Sequence, residues 1–368
     1  MQYDLPANDA RELCRRAGYR SAHDCYRIPT LGKNGTTLLK VLAWLARGLG
    51  HLCGAALLIW TTLAINYSNL PWPWLRLLLA IAFAVFGIWA LWITRRPRMP
   101  WVFAGLFLVV CGWWATILPS QNRDWRTDVA VLPSATIDGD VVRINNVRNF
   151  DYRSRNDFTV RYEKREVLLS HLTGVDFYVS FWMEGPIGHT FLSFVFDNAP
   201  PVSVSIETRP EVGEGYSPIA SMFKQYELIY IVGDERDLVR LRTNYRDEEV
   251  FLYHLTISPE AARRLFLVYL ERINELHDNA EWYHLLSNSC TINIVRYANV
   301  AGRTGGLDIR HILNGLIDRY FYNTGLVNTS LGFDELRRRS NITEISRAAG
   351  NGDDFPQKIR ANLPPAHP

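Results

Sequence analysis

The run GLGHLCGAALLIWTTLAINY, residues 48–67, contains no Asp, Glu, Lys or Arg. Two further apolar runs follow at residues 74–94 and 100–118, and Arg76 is the one charged side chain in them. A helix of about 20 apolar residues crosses about 30 Å of hydrocarbon. Trp side chains, which favour membrane interfaces, lie near the ends of these runs at Trp72, Trp74, Trp92, Trp101, Trp113 and Trp114. The sequence therefore predicts a three-helix transmembrane anchor within residues 37–119.

The alternatives to such an anchor are a very apolar soluble helix bundle and a cleaved signal peptide. A signal peptide fits worse, because the first apolar run begins late and two more follow it. Eight basic residues precede the first run: Arg11, Arg15, Arg16, Arg20, Arg27, Lys33, Lys40 and Arg47. Three more, Arg95, Arg96 and Arg98, separate the second and third runs, whereas residues 68–73 carry none.

Basic loops stay on the cytoplasmic side of a membrane. The N-terminal segment 1–36 is thus expected in the cytoplasm, and three crossings would carry residues 120 onward to the far side. In a bacterium this describes an inner-membrane protein with a periplasmic C-terminal domain. The net charge of +3 among 368 residues gives no reason to expect a nucleic-acid partner, and the oligomeric state stays open.

Residues 120–349 are predicted to form one α+β domain, followed by a loosely ordered tail over residues 350–368. Ser258 and Pro259 have the pattern of a helix N-cap and first helical residue. Strands are predicted at residues 138–146, 175–182, 190–196, 202–208, 227–232 and 250–255.

The cysteines give a sharper indication of function. Cys14 and Cys25 precede the apolar runs, Cys53 and Cys111 lie within them, and Cys290 stands alone in the predicted exported domain. Exported domains commonly pair their cysteines. A lone thiol is either an inert buried side chain or a reactive nucleophile.

Two other segments suggest partners for Cys290. His189 opens the predicted strand GHTFLSFVF, and the return strand VSVSIETR would place Glu207 or Arg209 opposite it, depending on register. In LSNSCTINIV, the Ser/Asn cluster is typical of a helix N-terminus, where free N–H groups stabilise a thiolate. The pattern favours a Cys290–His189 site over a structural histidine and an inert thiol.

The remaining site residues follow from that pair. Glu207 is the first candidate to orient His189, with Ser203 and Ser205 next if the register is shifted. Asn288 and Ser289 are candidates to support the oxyanion beside the helix N-terminus. The sequence contains no HExxH, CxxC, P-loop or Rossmann glycine motif, so we expect no metal and no cofactor.

From about Arg123 to Pro364 the chain resembles the bacterial Lnb N-terminal periplasmic domain family. The resemblance lies in NVRNFDYRSRNDF, GHTFLSFVF, SVSIETRPEVGEGYSP, FKQYELIYIVGDERDLVRLRTNYR and NSCTINIV. The better understood representative of the family is an intramolecular lipoprotein acyltransferase that uses a thiol and a histidine. The resemblance implies that His189 and Cys290 fill those roles.

A looser similarity links the domain to circularly permuted papain-like (NlpC-type) enzymes, in which a histidine on a strand precedes a cysteine that opens a helix. Asn288-Ser289-Cys290 departs from the Asn-Cys signature of the lecithin retinol acyltransferase group, because Ser289 intervenes. The resemblance implies a thiol acyltransferase or hydrolase that acts on an ester or amide. A lipid or lipoprotein substrate at the outer leaflet of the inner membrane is expected. A peptidoglycan peptide amidase and a non-enzymatic envelope binding or assembly protein are the alternatives.

Overall fold

The computed structural model describes residues 33–306 and 308–365. Most of the predicted segment 1–36 lies outside the described residues, and so do Cys14 and Cys25. The described chain forms two compact units. One contains the first apolar helix up to Ile65 together with Leu77–Cys111, and the other contains Asn66–Arg76 together with the chain from Gly112 onward.

Three apolar helices precede the domain. They are α1 (Lys33–Asn66), α2 (Pro73–Ile88), which continues as a π-helical turn over Trp89–Ile93, and α3 (Met99–Ala115). By length and composition, Lys40–Asn66 and Pro73–Ile93 could cross a membrane. The helix at the predicted third span is apolar but has 17 residues. The structure therefore gives two candidate membrane spans and a shorter apolar helix.

The domain after the helices is a mixed α/β body. Its strands are β1 (Ser134–Asp138), β2 (Val141–Arg148), β3 (Asp151–Tyr152), β4 (Phe158–Thr159), β5 (Tyr162–Leu168), β6 (Leu172–Phe181), β7 (His189–Phe196), β8 (Val202–Arg209), β9 (Glu227–Gly233) and β10 (Glu249–His254). Its helices are α4 (Glu235–Arg240), α5 (Pro259–Asp278), α6 (Cys290–Val300), α7 (Ile317–Asn323), α8 (Phe333–Ser340), α9 (Thr343–Ala349) and α10 (Phe355–Arg360).

Eight strands form one sheet in the order β1-β2-β9-β8-β7-β6-β10, with β5 paired to β2. All pairs are antiparallel except β2 with β9. Side chains alternate between two buried layers: Phe177 and Val179 pack with α5 and α6, while Tyr178 packs with α4 and α10. Burial on both faces explains why β9 is apolar at most positions, whereas the neighbouring β8 alternates apolar residues with Ser203, Ser205 and Glu207.

Most predicted elements are found within a residue or two of their expected bounds. Ser258 caps α5 by accepting a hydrogen bond from the Ala261 N–H, with Pro259 as first helical residue. The run 138–146 is wrong as a single strand, because it turns at Gly139 to form the β1–β2 hairpin. The loosely ordered tail is also wrong as far as residue 365: Phe355 and Ile359 of α10 are fully buried in the second core layer.

Candidate active site

His189 is positioned by the middle of the sheet. It is the first residue of β7 and pairs with Ser180 of β6. Gly188 permits this start, because a Cβ at that position would lie 2.8 Å from the Ser180 carbonyl oxygen. His189 therefore sits at one end of the sheet with its side chain 18% exposed.

Cys290 is positioned by the helix that follows the last strand region. It is the first residue of α6, and Ser289 is the N-cap with extended backbone (φ −98°, ψ 175°). Ile294 and Tyr297 of α6 pack into the same core layer as β7 and β8, which brings the first turn of the helix against the start of β7. The Cys290 side chain is buried.

The first turn of α6 packs against the start of β7, where Thr190 Oγ1 lies 2.8 Å from Thr291 Oγ1. Burial raises the pKa of the Cys290 thiol, but the hydrogen bond and charge of His189, together with hydrogen bonds from Thr190, lower it to about 6. A thiol with this pKa is mostly thiolate at neutral pH, and the thiolate is the nucleophilic form. Cys290 is thus buried, as an inert thiol would be, but it lies near a histidine rather than remote from one.

A serine lies between the histidine and the predicted acid. His189 Nε2 is 2.7 Å from Ser205 Oγ, and the Ser205 hydroxyl donates to Glu207 Oε1 at 2.8 Å. The direct distance from His189 Nε2 to Glu207 Oε1 is 3.8 Å, which is outside hydrogen-bond range. Phe191 pairs with Ser205 across β7 and β8, and continuing that register sets His189 opposite Glu207 rather than Arg209.

The direction of these hydrogen bonds selects the histidine tautomer. The ionised carboxylate of Glu207 can only accept, so the Ser205 hydroxyl must donate to it. Ser205 Oγ then accepts from the His189 Nε2–H. The other ring nitrogen, Nδ1, is left with its lone pair for the Cys290 thiol proton.

Arg242 keeps Glu207 ionised. Burial raises the pKa of Glu207, but the Arg242 guanidinium, assisted by His189 and Arg246, holds it well below its usual range. Arg242 Nη2 donates to Glu207 Oε1 at 2.8 Å, and its guanidinium lies 4.6 Å from the centre of the Phe191 ring. A fully buried arginine thus fixes the far end of a Cys290–His189–Ser205–Glu207 chain.

The predicted oxyanion residues are placed differently from expectation. The Asn288 amide donates to Trp282 O at 2.8 Å and to Glu281 Oε2 at 3.4 Å, so both of its hydrogens are used within the loop that precedes α6. Ser289 makes no side-chain cap hydrogen bond.

Tyr283 and Asn314 approach the thiol instead. The Tyr283 hydroxyl lies near the side chain and the backbone N–H of Cys290. Burial, followed by the Cys290 charge, holds the pKa of Tyr283 well above its usual value, so the hydroxyl keeps its proton. Asn314 Nδ2 lies 3.8 Å from Cys290 Sγ and donates to Thr291 Oγ1, while Asn314 Oδ1 accepts from the Gly188 N–H at 2.8 Å.

These two residues had no motif in the sequence that linked them to Cys290. Asn314 opens a single turn of 3-10 helix and Tyr283 lies in a loop. Arg242 stands in a run that carries the family resemblance, without a pattern that marks its role. Within residues 33–306 and 308–365, no group of three His, Cys, Asp or Glu side chains could hold a metal ion.

Comparison with known proteins gives one match. The family model described as the Lnb N-terminal periplasmic domain matches residues 158–315, a narrower range than the resemblance from Arg123 to Pro364. The matched range contains His189, Ser205, Glu207, Tyr283, Cys290 and Asn314. No curated protein and no solved structure gives a match to the chain. The match and the apolar helices indicate a membrane-anchored protein with a periplasmic domain.

Proposed function

We propose that this chain, a member of the Lnb N-terminal periplasmic domain family over residues 158–315, is a membrane-anchored cell-envelope thiol acyltransferase or hydrolase. Its substrate would be an ester or amide, with acyl chains of lipoproteins or phospholipids the preferred class. The observation that carries the proposal is the packing of α6 against β7, with Thr190 Oγ1 2.8 Å from Thr291 Oγ1. This packing sets His189 near enough to Cys290 to lower the thiol pKa to about 6. Cys290 would be the nucleophile and His189 the general base.

The first half-reaction forms a thioester. His189 Nδ1 takes the thiol proton, and the Cys290 thiolate attacks the acyl carbonyl carbon. The carbonyl oxygen becomes an oxyanion, which the Cys290 N–H and the Tyr283 hydroxyl would stabilise. Collapse of the tetrahedral intermediate breaks the bond to the leaving alcohol or amine, which receives the proton from the His189 imidazolium.

The second half-reaction releases the acyl group. An acceptor hydroxyl, amine or water gives its proton to His189 and attacks the thioester carbonyl. The thiolate of Cys290 then leaves, and the pair returns to its starting state. Through Ser205, the Glu207 carboxylate stabilises the imidazolium in both half-reactions, so Ser205 and Glu207 are positioning residues.

The membrane topology is also part of the proposal. The turn Asn66–Arg76 belongs to the same compact unit as the chain from Gly112 onward. If α1 and α2 cross the membrane with the N-terminus in the cytoplasm, this turn lies outside, and so does the domain. The chain then returns across the membrane through α3, whose 17 residues lie at the lower end of the about 17–25 residues that a spanning helix needs.

A fusion experiment tests the topology. Alkaline phosphatase, which is active in the periplasm, should be active when fused after Ser120 and inactive when fused after Arg98. Expression of both fusions is controlled by immunoblotting. Activity after Arg98 with none after Ser120 would contradict the orientation.

Mass spectrometry tests the chemistry. The full chain is purified from membranes, and the intact mass is compared for wild type, Cys290→Ala and His189→Ala. We expect a hydroxylamine-sensitive acyl adduct on Cys290 after brief exposure to mixed phospholipid and lipoprotein. Cys53 and Cys111 provide internal controls for adventitious acylation. If the wild type carries no adduct and releases no fatty acid, while its thiol alkylates freely, the proposal is wrong.

A further inference from the structure

We infer that the end of the domain that carries the site is a membrane-contacting surface, which inserts into the outer-leaflet interface. The surface consists of exposed apolar side chains, here named the apolar rim: Trp182, Met183, Val212, Tyr216, Ile219 and Leu286. This inference rests on the membrane attachment in the proposed function, not on the chemistry of Cys290. Its occupant is the bilayer that anchors the chain.

The rim surrounds the end of the sheet at which the site lies. Trp182 and Met183 stand in the loop from β6 to His189, and the Trp182 ring meets the Tyr216 ring edge-on with centroids 6.3 Å apart. Tyr216 lies in the loop from β8 to β9, where burial, followed by the nearby Cys290 charge, raises its pKa. Leu286 lies in the loop that leads to Cys290.

The rim loop between β8 and β9 is tied to the segments that leave the apolar helices. Trp125 pairs with Glu211, and the Val212 N–H donates to Asp124 O at 2.7 Å. Further along the loop, Lys224 Nζ donates to Trp114 O and Ile117 O, both at 3.0 Å. These contacts lie within the unit that contains Gly112 onward.

The residue that directly follows α1 also contacts the rim loop. Tyr67, which directly follows α1, stacks on Phe223 of the same loop with centroids 6.0 Å apart. The rim loop is therefore held at both ends by chain that continues into apolar helices. These tethers are adjacent in sequence to the helices that the proposed function places in the membrane.

The composition of the rim suits a lipid interface. Met183 is 62% exposed and Val212 is 61% exposed. Exposing apolar side chains to water is unfavourable, and contiguous exposed apolar residues mark an interaction site. Trp and Tyr place an apolar ring and a polar edge at the headgroup boundary. Seating the rim there would also let an acyl chain reach Cys290 without passing through water.

The test uses an environment-sensitive probe on the full chain. Cys14, Cys25, Cys53 and Cys111 are replaced by Ser and Cys290 by Ala, and NBD is attached to Met183→Cys or Val212→Cys. The protein is reconstituted in phosphatidylcholine/phosphatidylglycerol vesicles with and without doxyl-labelled lipid. Val300→Cys is the matched control, since Val300 is 68% exposed and lies ten residues along α6 from Cys290, about 15 Å away.

We expect blue-shifted NBD emission and quenching by doxyl lipid at positions 183 and 212, with a depth of about 5–10 Å below the headgroup surface. The probe at position 300 should emit as in water and resist quenching. Rim probes that behave like the position-300 probe would overturn the inference. A blue shift without doxyl quenching, rising with protein density, would also overturn it, because a second copy would then cover the rim. Both readouts are independent of acyl transfer.

Discussion

Replacing Ser205 with Ala should raise the pH at which Cys290 becomes reactive. The Ser205 hydroxyl joins His189 Nε2 at 2.7 Å to Glu207 Oε1 at 2.8 Å. Without it, the 3.8 Å from ring nitrogen to carboxylate is too long for a direct hydrogen bond. The Nε2–H loses its acceptor, so the imidazolium that balances the thiolate is less stable.

The size of the expected shift follows from the strength of one hydrogen bond. The fall of the thiol pKa from an ordinary 9.0 to about 6 corresponds to about 4 kcal/mol in favour of the thiolate. One net hydrogen bond contributes about 0.5–1.5 kcal/mol, so Ser205→Ala should move the midpoint upward by up to about one pH unit.

The carboxylate contributes more than the hydroxyl. A unit charge 3.8 Å from the imidazolium interacts by about 4 kcal/mol at an effective dielectric constant of 20, before the opposing charge of Arg242 is counted. Glu207→Gln, which keeps an oxygen for Arg242 to bond, should therefore raise the midpoint by about 1–3 pH units. The expected order of midpoints is wild type, Ser205→Ala, Glu207→Gln, His189→Ala.

The assay is the rate of Cys290 alkylation by iodoacetamide as a function of pH, read by intact-protein mass spectrometry in a background without the other cysteines. It requires no knowledge of the substrate. If Ser205 and Glu207 act on His189 as one chain, the double variant should shift no further than Glu207→Gln alone. Ser287→Ala, on an exposed serine bonded to His284, is the control. If the Ser205→Ala midpoint equals that of the wild type, or shifts no more than the control midpoint does, Ser205 does not stabilise the imidazolium.

Three further predictions test other parts of the structure. Tyr283→Phe should slow acyl-enzyme formation by about 10²-fold, while Cys290 should still alkylate at alkaline pH. If the variant and the wild type acylate at equal rates, Tyr283 does not stabilise the oxyanion. Burial raises the pKa of Glu227 to about 7 despite its ion pair with Arg123. Between about pH 4.5 and 7, the folded state therefore keeps a proton that the unfolded state releases. The free energy of unfolding should fall as the pH rises through this range. Glu227→Gln should abolish that slope in thermal unfolding measured on both sides of pH 6, and an unchanged slope would contradict it. Phe355→Ala should lower the free energy of unfolding by about 3–5 kcal/mol in urea titrations, against Arg339→Ala as a surface control, and equal midpoints would show that α10 is not part of the core.

Local patterns carried a large part of the architecture. The apolar runs predicted α1 and α2, because a membrane-length helix is encoded by consecutive residues. Ser258-Pro259 predicted the start of α5, and the Ser/Asn cluster predicted that Cys290 opens a helix, since caps depend on neighbours in sequence. Those patterns also misled: the composition of residues 350–365 gave no sign that Phe355 and Ile359 complete a core layer.

Local sequence specified the groups available for chemistry: one thiol in the domain, a histidine at a strand start and acceptors on the return strand. How these groups come together depends on the packing of distant segments. Packing of α6 against β7 joins residues 101 positions apart, as the hydrogen bond between Thr190 and Thr291 shows. Register and side-chain rotamers then insert Ser205 between His189 and Glu207, commit the Asn288 amide to its own loop, and bring in Tyr283 and Asn314. Composition and periodicity specify which faces are buried, whereas separations of 3–4 Å between distant segments depend on how those faces pack together.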